Sequence, residues 1–300
     1  MTTISVDMIK KLRDATQVSM MDCKKALIEA NGDFDKAVEF LRKKGISVAA
    51  KRAENATNNG TINAIIAPDF RSGALVEVAC ETDFSANTAD MRSFAQSIGS
   101  QVLVTEQDTA TPVSDAQTIA TFMEKPLAGH AGETPSGLLA TLVAKIAENI
   151  KVSRFVKMTT ANGIINGYCH GSTLGILVEL DVDGTRPADI TPLVNAAKDV
   201  AMQIAVTNPL CVSSNQLDPA VVAKEAEIYA EQLRAEGKNP QMIEKIVPGK
   251  LNKFYESACL NNQKFIKDDK QTVQQMLDAA GKTAGCSVRV ARFVRFAIGQ

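Results

Sequence analysis

The apolar positions of the chain change period several times, and each change marks an element. Over the first fifty residues the spacing is helical. Ile9 and Leu12 share a face, Cys23, Ala26, Leu27 and Ala30 follow at i, i+3, i+4 and i+7, and Phe34, Ala37, Val38 and Leu41 repeat the step. Ser19 with Asp22 three residues on reads as a capping pair, Asn31-Gly32 as a left-handed stop, Asp33 as the next cap and Gly45 as the end of the third helix. Three short helices make a small satellite domain over residues 1–54.

The pattern then turns to alternation. A polar linker at 55–60 leads into a strand through Ala67, and Pro68-Asp-Phe-Arg-Ser-Gly73 turns the chain back, so residues 61–80 form a hairpin. Its second arm places Ala74, Val76, Val78 and Cys80 on one face of a half-buried strand. Alternation stops at Thr82-Asp83-Phe84 without Gly or Pro, and helical spacing resumes at Met91, Phe94, Ala95 and Ile98. A Phe beside an acid at such a corner is either a core plug next to an N-cap, the commoner arrangement, or a wedge offered to a partner. The local pattern leaves both open.

Residues 105–115 read as an exposed loop, and Thr134-Pro135 starts an amphipathic helix with Leu138, Leu139, Leu142, Val143, Ile146 and Ile150. A second sheet follows from Phe155-Val156, 164–170 and 174–182, then a helix with Leu193, Ala196, Ala197, Val200 and Ile204 stopped at Asn208-Pro209. Leu75-Val-Glu-Val and Leu177-Val-Glu-Leu occupy the same place in the two halves, which suggests two subdomains of one build. From Pro219, Val222, Ala226, Tyr229 and Leu233 run out, and Ile243, Val247, Leu251, Phe254 and Ala258 return, as an antiparallel helical hairpin with a kink expected at Pro248-Gly249. Phe265-Ile266 is a short strand and 272–280 a helix. The last strand carries Val288, Val290, Val294, Phe296 and Ile298 on one side, closing the second sheet. The expected class is α+β, with core subdomains at 55–145 and at 146–217 plus 259–300, and the hairpin inserted at 218–258.

Composition narrows the function. The 300 residues are 45% hydrophobic and 22% charged, with no Trp and a net charge of −1, which speaks against binding nucleic acid along the chain. Cys23, Cys80, Cys169, Cys211, Cys259 and Cys286 are dispersed and only His130 and His170 accompany them, so zinc-ligand spacing is missing and a reducing compartment is expected. The first residues lack the form of a secretory signal and no apolar run spans a bilayer, so a cytoplasmic, membrane-free protein is expected. Residues 1–52 hold eleven Lys and Arg against seven acids, a +4 segment that fits an acidic partner or a solvated face equally. No phosphate-binding glycine loop, nucleophile elbow or metalloprotease motif occurs. Cys169-His170 are strand neighbours facing opposite ways, and Cys80 would meet His170 only by chance, so neither an enzyme nor a cofactor or metal is expected.

Leu12-Arg-Asp-Ala-Thr-Gln-Val-Ser-Met-Met-Asp-Cys-Lys-Lys-Ala-Leu27, Glu29-Ala-Asn-Gly-Asp33, Cys80-Glu-Thr-Asp-Phe84, Gly167-Tyr-Cys-His-Gly171, Leu174-Gly-Ile-Leu-Val178 and Ala201-Met-Gln-Ile-Ala205 together resemble the elongation factor Ts family, in order and over essentially the whole chain. Three places depart from the family pattern. Gln17-Val18-Ser19 stands where glycines are usual, Ser85 stands where Val follows the Phe, and the chain stops at Gln300 without the helical module that some members add. The resemblance implies a ubiquitin-associated-like three-helix domain, a two-subdomain core and a helical-hairpin insertion. It also implies a guanine-nucleotide exchange factor for elongation factor Tu, contacting the GTPase domain and a second domain of that partner. On this reading Thr82, Asp83, Phe84 and Ser85 dislodge Mg²⁺ from the partner, with Asp83 and Phe84 entering near its metal and phosphate site. Arg13, Met20, Met21 and Lys24 contact the GTPase domain, and His170 lies close to it. A homodimer through the hairpin is a further expectation. The alternative is a non-catalytic binding module acting through the three-helix domain.

Overall fold

The computed structural model describes residues 4–16, 18–109, 111–128 and 132–300; Gln17 and His130 lie outside them. Helices α1 (Val6–Thr16), α2 (Met20–Glu29) and α3 (Phe34–Arg52) bury Ile9, Leu12, Cys23, Ala26, Leu27, Ala37 and Leu41 against one another. The Ser19 and Asp33 side chains accept from the amides of Asp22 and Lys36, so both caps form as the spacing requires. Helix α3 does not end at Gly45. It continues across α7 (Pro135–Ile146), where a Cβ on Gly45 would sit 2.0 Å from the Ala140 carbonyl oxygen. That glycine is a helix crossing, and it holds the three-helix unit against the core.

The first half of the core is β1 (Asn59–Ile66), β2 (Ser72–Cys80), α4 (Asp83–Ala86), α5 (Ala89–Thr105), α6 (Ala116–Met123), α7 and β3 (Ile150–Thr159). The second is β4 (Ile164–His170), β5 (Leu174–Asp183), α8 (Thr191–Thr207), the hairpin α9 (Pro219–Ala235) and α10 (Pro240–Ala258), the small ladder β6 (Lys264–Phe265) with β7 (Asp268–Thr272), α11 (Val273–Ala284) and β8 (Ser287–Ala297). Two antiparallel sheets result, β1-β2-β3 and β4-β5-β8. They face each other through Ile62, Leu75, Val156 and Met158 on one side and Ile165, Leu177 and Phe296 on the other. Each outer face is covered by its own helices: Ala74, Val76, Val78 and Cys80 pack on α5, and Ile176, Val178 and Leu180 pack on α8 and α11. Strand β2 is therefore buried on both faces, not half-buried.

Two sequence expectations change here. The strand at 150–159 joins the first sheet, pairing Leu75 with Val156, and not the second. The boundary drawn at 145/146 thus cuts through the first half, because residues 160–163 carry the chain from one sheet to the other. The apolar stripe of β8 also splits. A bulge opposite Glu179/Leu180 inserts Ala291, so Val288 and Val290 face the helices while Val294, Phe296 and Ile298 face the opposite sheet. In the hairpin, α10 runs on as helix through Pro248.

The halves match in detail. Helices α5 and α8 are each 17 residues long, and each buries a glutamine, Gln101 and Gln203. Helices α7 and α11 are each 12 residues and end on a left-handed residue, Ala147 (φ 60°) and Gly285 (φ 76°). Both third strands carry a bulge, and beside each an Arg–Glu pair bridges it, Arg154–Glu77 and Arg292–Glu179, both at 2.7 Å. The facing glycines are reciprocal as well: a Cβ on Gly73 would lie 2.8 Å from Ile165, and one on Gly175 would lie 2.4 Å from Ile62.

Candidate functional site

The corner after β2 is built by two glutamates. Thr82 caps α4, its hydroxyl accepting from the Ser85 amide at 3.2 Å. The Glu148 carboxylate, on the link between α7 and β3, then accepts from the Thr82 amide (3.1 Å), the Thr82 hydroxyl (2.7 Å) and the Ser85 hydroxyl (2.7 Å). Glu81 accepts from the Asn149 amide (2.6 Å), from Asn55 (3.0 Å) and from Arg52 at the end of α3 (3.1 Å). Those bonds, the Asn149 amide first, hold its carboxyl below the ordinary glutamate range. On the far side Asn87 donates to the Asp83 carbonyl and accepts from Ser172 in the β4–β5 turn.

From this frame Phe84 stands out into solvent, 82% exposed and the most exposed large apolar side chain among the described residues. The plug reading is excluded. Burying a Phe contributes roughly 1.5–3 kcal/mol, and this fold forgoes it. Asp83 beside it is exposed, while Ser85 is buried and its hydroxyl is spent on Glu148. Of the four corner residues, then, Asp83 and Phe84 face outward and Thr82 and Ser85 hold them there.

The other expected contacts fall in two places. Arg13 on α1 bonds Asp14 and reaches the Met20 sulfur at 3.9 Å, with Met21 (63% exposed) and Lys24 alongside on α2. The end of α1, at Ala15 and Thr16, shares a cavity with Asp90, Ser93 and Phe94 of α5 just beyond the corner, and the Arg52–Glu81 bond ties α3 to the corner itself. His170 is exposed at the end of β4, two residues before Ser172, and its Nδ1 lies 2.9 Å from the Tyr168 hydroxyl. Cys169 faces the other way, half-buried. Burial, then the nearby Glu148, pushes the Cys80 thiol up to about 11, which leaves it protonated and a poor nucleophile at neutral pH. Among the described residues no group of three or more Cys, His, Asp or Glu is arranged to hold a metal, and no helix is long and apolar enough to cross a membrane.

Sequence reasoning missed Glu148, Glu81, Arg52 and Asn149. None lies on a periodic stripe. The nearest signal was Ala147, where a helix stops without glycine and the next side chain is thrown back toward the corner.

Comparison with known proteins gives one consistent result. Residues 81–300 match the family model described as elongation factor TS. The chain is 40% identical over 299 residues to elongation factor Ts of a Nitratiruptor species, covering 99% of this chain and 93% of that protein. It is 37% identical over 298 residues to that of Clostridium novyi (strain NT), with 99% and 93% covered, and 37% identical over 299 residues to that of Nitratidesulfovibrio vulgaris (strain DP4), with 99% and 96% covered. Similarity of that extent over both halves and the three-helix unit settles descent: the chain belongs to the elongation factor Ts family.

Proposed function

We propose that the protein is a guanine-nucleotide exchange factor for elongation factor Tu, and that it works mechanically, with Phe84 as the wedge. The observation that carries the reading is the combination at one corner of an exposed aromatic ring and a hydrogen-bonded frame that fixes it. A GTPase holds GDP through a phosphate loop and a Mg²⁺ ion that demands near-octahedral geometry. A rigid ring pressed between the elements that position the metal's ligands displaces them, Mg²⁺ leaves, and GDP follows. Asp83 enters beside it. No covalent or proton-transfer step is required of this chain.

Arg13, Met20, Met21 and Lys24 dock the three-helix unit on the GTPase domain, and the unbranched methionines suit an adaptable surface. His170, on the strand end tied to the corner through Ser172 and Asn87, reaches the same domain. The factor binds the nucleotide-free partner best, so factor and GDP weaken each other's binding by the same coupling free energy. The α9–α10 hairpin is the surface we assign to a second copy of the chain. The test is release of labelled GDP from elongation factor Tu by substoichiometric factor. Phe84→Ala should slow release about tenfold or more, a barrier increase of at least about 1.4 kcal/mol; release as fast as wild type would overturn the wedge.

A further inference from the structure

We infer that Glu148 is the positioning residue of the wedge, a role that rests on the exchange reading above. The inference comes from the molecule's own duplicate. Counting from the shared glutamates Glu77 and Glu179, the counterpart of Phe84 is Arg186, on a corner that reads Gly184-Thr185-Arg186-Pro187 and forms no helix. Counting from the left-handed caps Ala147 and Gly285, the counterpart of Glu148 is Cys286. The second half thus builds the same strand, 17-residue helix and bulged third strand with no carboxylate at this place, and its corner stays an open turn. The fold does not need Glu148; only the corner that presents Phe84 has it.

What the carboxylate does is visible in its bonds. Helix α4 has four residues, too few to hold itself, since a single turn repays little of the backbone order it requires. One anion accepting three hydrogen bonds from Thr82 and Ser85 fixes the residues on both sides of Asp83 and Phe84, and bonds to a charged acceptor are the stronger kind. Without it the ring remains exposed but samples many directions, and the entropy of ordering it falls on the exchange step.

The experiment compares Glu148→Ala, Glu148→Gln, Ser85→Ala and Cys286→Ala in the GDP-release assay, with Phe84→Ala beside them and thermal unfolding of each as a control for folding. Because the chain has no Trp, Phe84→Trp supplies a unique fluorescent reporter whose anisotropy reads the mobility of the corner. Glu148→Ala should lower the maximal release rate by about tenfold, the equivalent of about one bond to a charged acceptor, and shift the half-maximal factor concentration by less than about twofold. It should also lower the anisotropy of the Trp reporter. Glu148→Gln, whose carbonyl still accepts from both hydroxyls, should recover most of the rate; Ser85→Ala should fall between, and Cys286→Ala should change nothing. A maximal rate near wild type for Glu148→Ala while Phe84→Ala loses it overturns the positioning role and leaves the wedge standing. Unchanged reporter anisotropy, or a rate loss matched by an equal loss of docking, also overturns it. A wild-type rate for Phe84→Ala brings down the exchange reading itself.

Discussion

The two halves of the core share a sheet, a long helix, a buried glutamine, a bulge and an Arg–Glu pair, and differ at their corners. In the first half β2 leads into α4, framed by Glu148 and carrying Phe84 outward; in the second β5 leads into an open turn carrying Arg186. Features held in common are those the sandwich needs, and features present once are free to serve something else. By that criterion the Phe84 corner, the α9–α10 insertion and the exposed Arg13–Met20–Met21 group stand outside the requirements of the fold. The largest expected effect breaks the comparison directly. Phe84→Ala should slow GDP release about tenfold or more, whereas Arg186→Ala, at the matching place, should stay within about twofold. Equal losses in the same assay would mean that the corners are functionally alike.

The shared features should fail alike, with differences set by burial. Gln203 donates to the Gln263 side chain and the Lys264 carbonyl and accepts from the Ile266 amide; Gln101 donates to the Pro126 carbonyl and accepts from the Ala128 amide. Replacement by Leu keeps the volume and removes the partners. Each buried group left unpaired costs about 1–3 kcal/mol. Gln203→Leu should therefore lose about 3 kcal/mol and Gln101→Leu less, because Gln263 is itself buried while Pro126 and Ala128 are reached by water. Urea unfolding measures both. A larger loss for Gln101→Leu would show that burial is not what ranks them.

The glycines between the sheets give a finer contrast. An added methyl at Gly175 meets Ile62 at 2.4 Å and Leu75 at 2.8 Å, and one at Gly73 meets Ile165 and Leu177 at 2.8 and 2.9 Å. Overpacking of this kind costs about 1–3 kcal/mol. Gly175→Ala should sit near the top of that range and Gly73→Ala below it. Unfolding midpoints that reverse the order would indicate that Ile62 gives way more easily than Ile165.

What the sequence carried and what it hid follow the same division. Caps at Ser19, Asp33 and Thr134, the hairpin helices and the face of β2 were legible because period and punctuation are local. So was the oddity at Phe84, since alternation broke there without a turn residue. The plug-or-wedge question was not, because exposure depends on what arrives from elsewhere, and here Glu148 arrives from the α7–β3 link to bond Thr82 and Ser85 on either side of the outward ring. Gly45 read as a stop because a glycine in a helix signals the same way whether it ends the helix or admits a neighbour. The partner of strand 150–159 and the flip at Ala291 depend on long-range register, which alternation alone leaves undetermined.

One contact between the halves has no symmetric twin, and it sets the smallest prediction. Asp108, beyond α5, receives both terminal nitrogens of Arg292 at 2.6 and 3.0 Å and the Thr159 amide at 2.5 Å; counted from Gln203, its counterpart is Leu210. Burial raises the Asp108 carboxyl, but the bonds from Arg292 and Thr159 together outweigh it and hold the group below its ordinary value. A carboxyl depressed by folding stabilises the native state above the unfolded pKa, about 3.9 for Asp. That contribution disappears as pH falls through the folded value. Asp108→Asn should thus cost less than about 1 kcal/mol near neutrality, since both partners are partly exposed. It should also flatten the decline of stability below pH ~4. Denaturant midpoints for wild type and Asp108→Asn converging as the pH falls would bear this out, and parallel curves would mean that the bridge between the halves carries no linked proton.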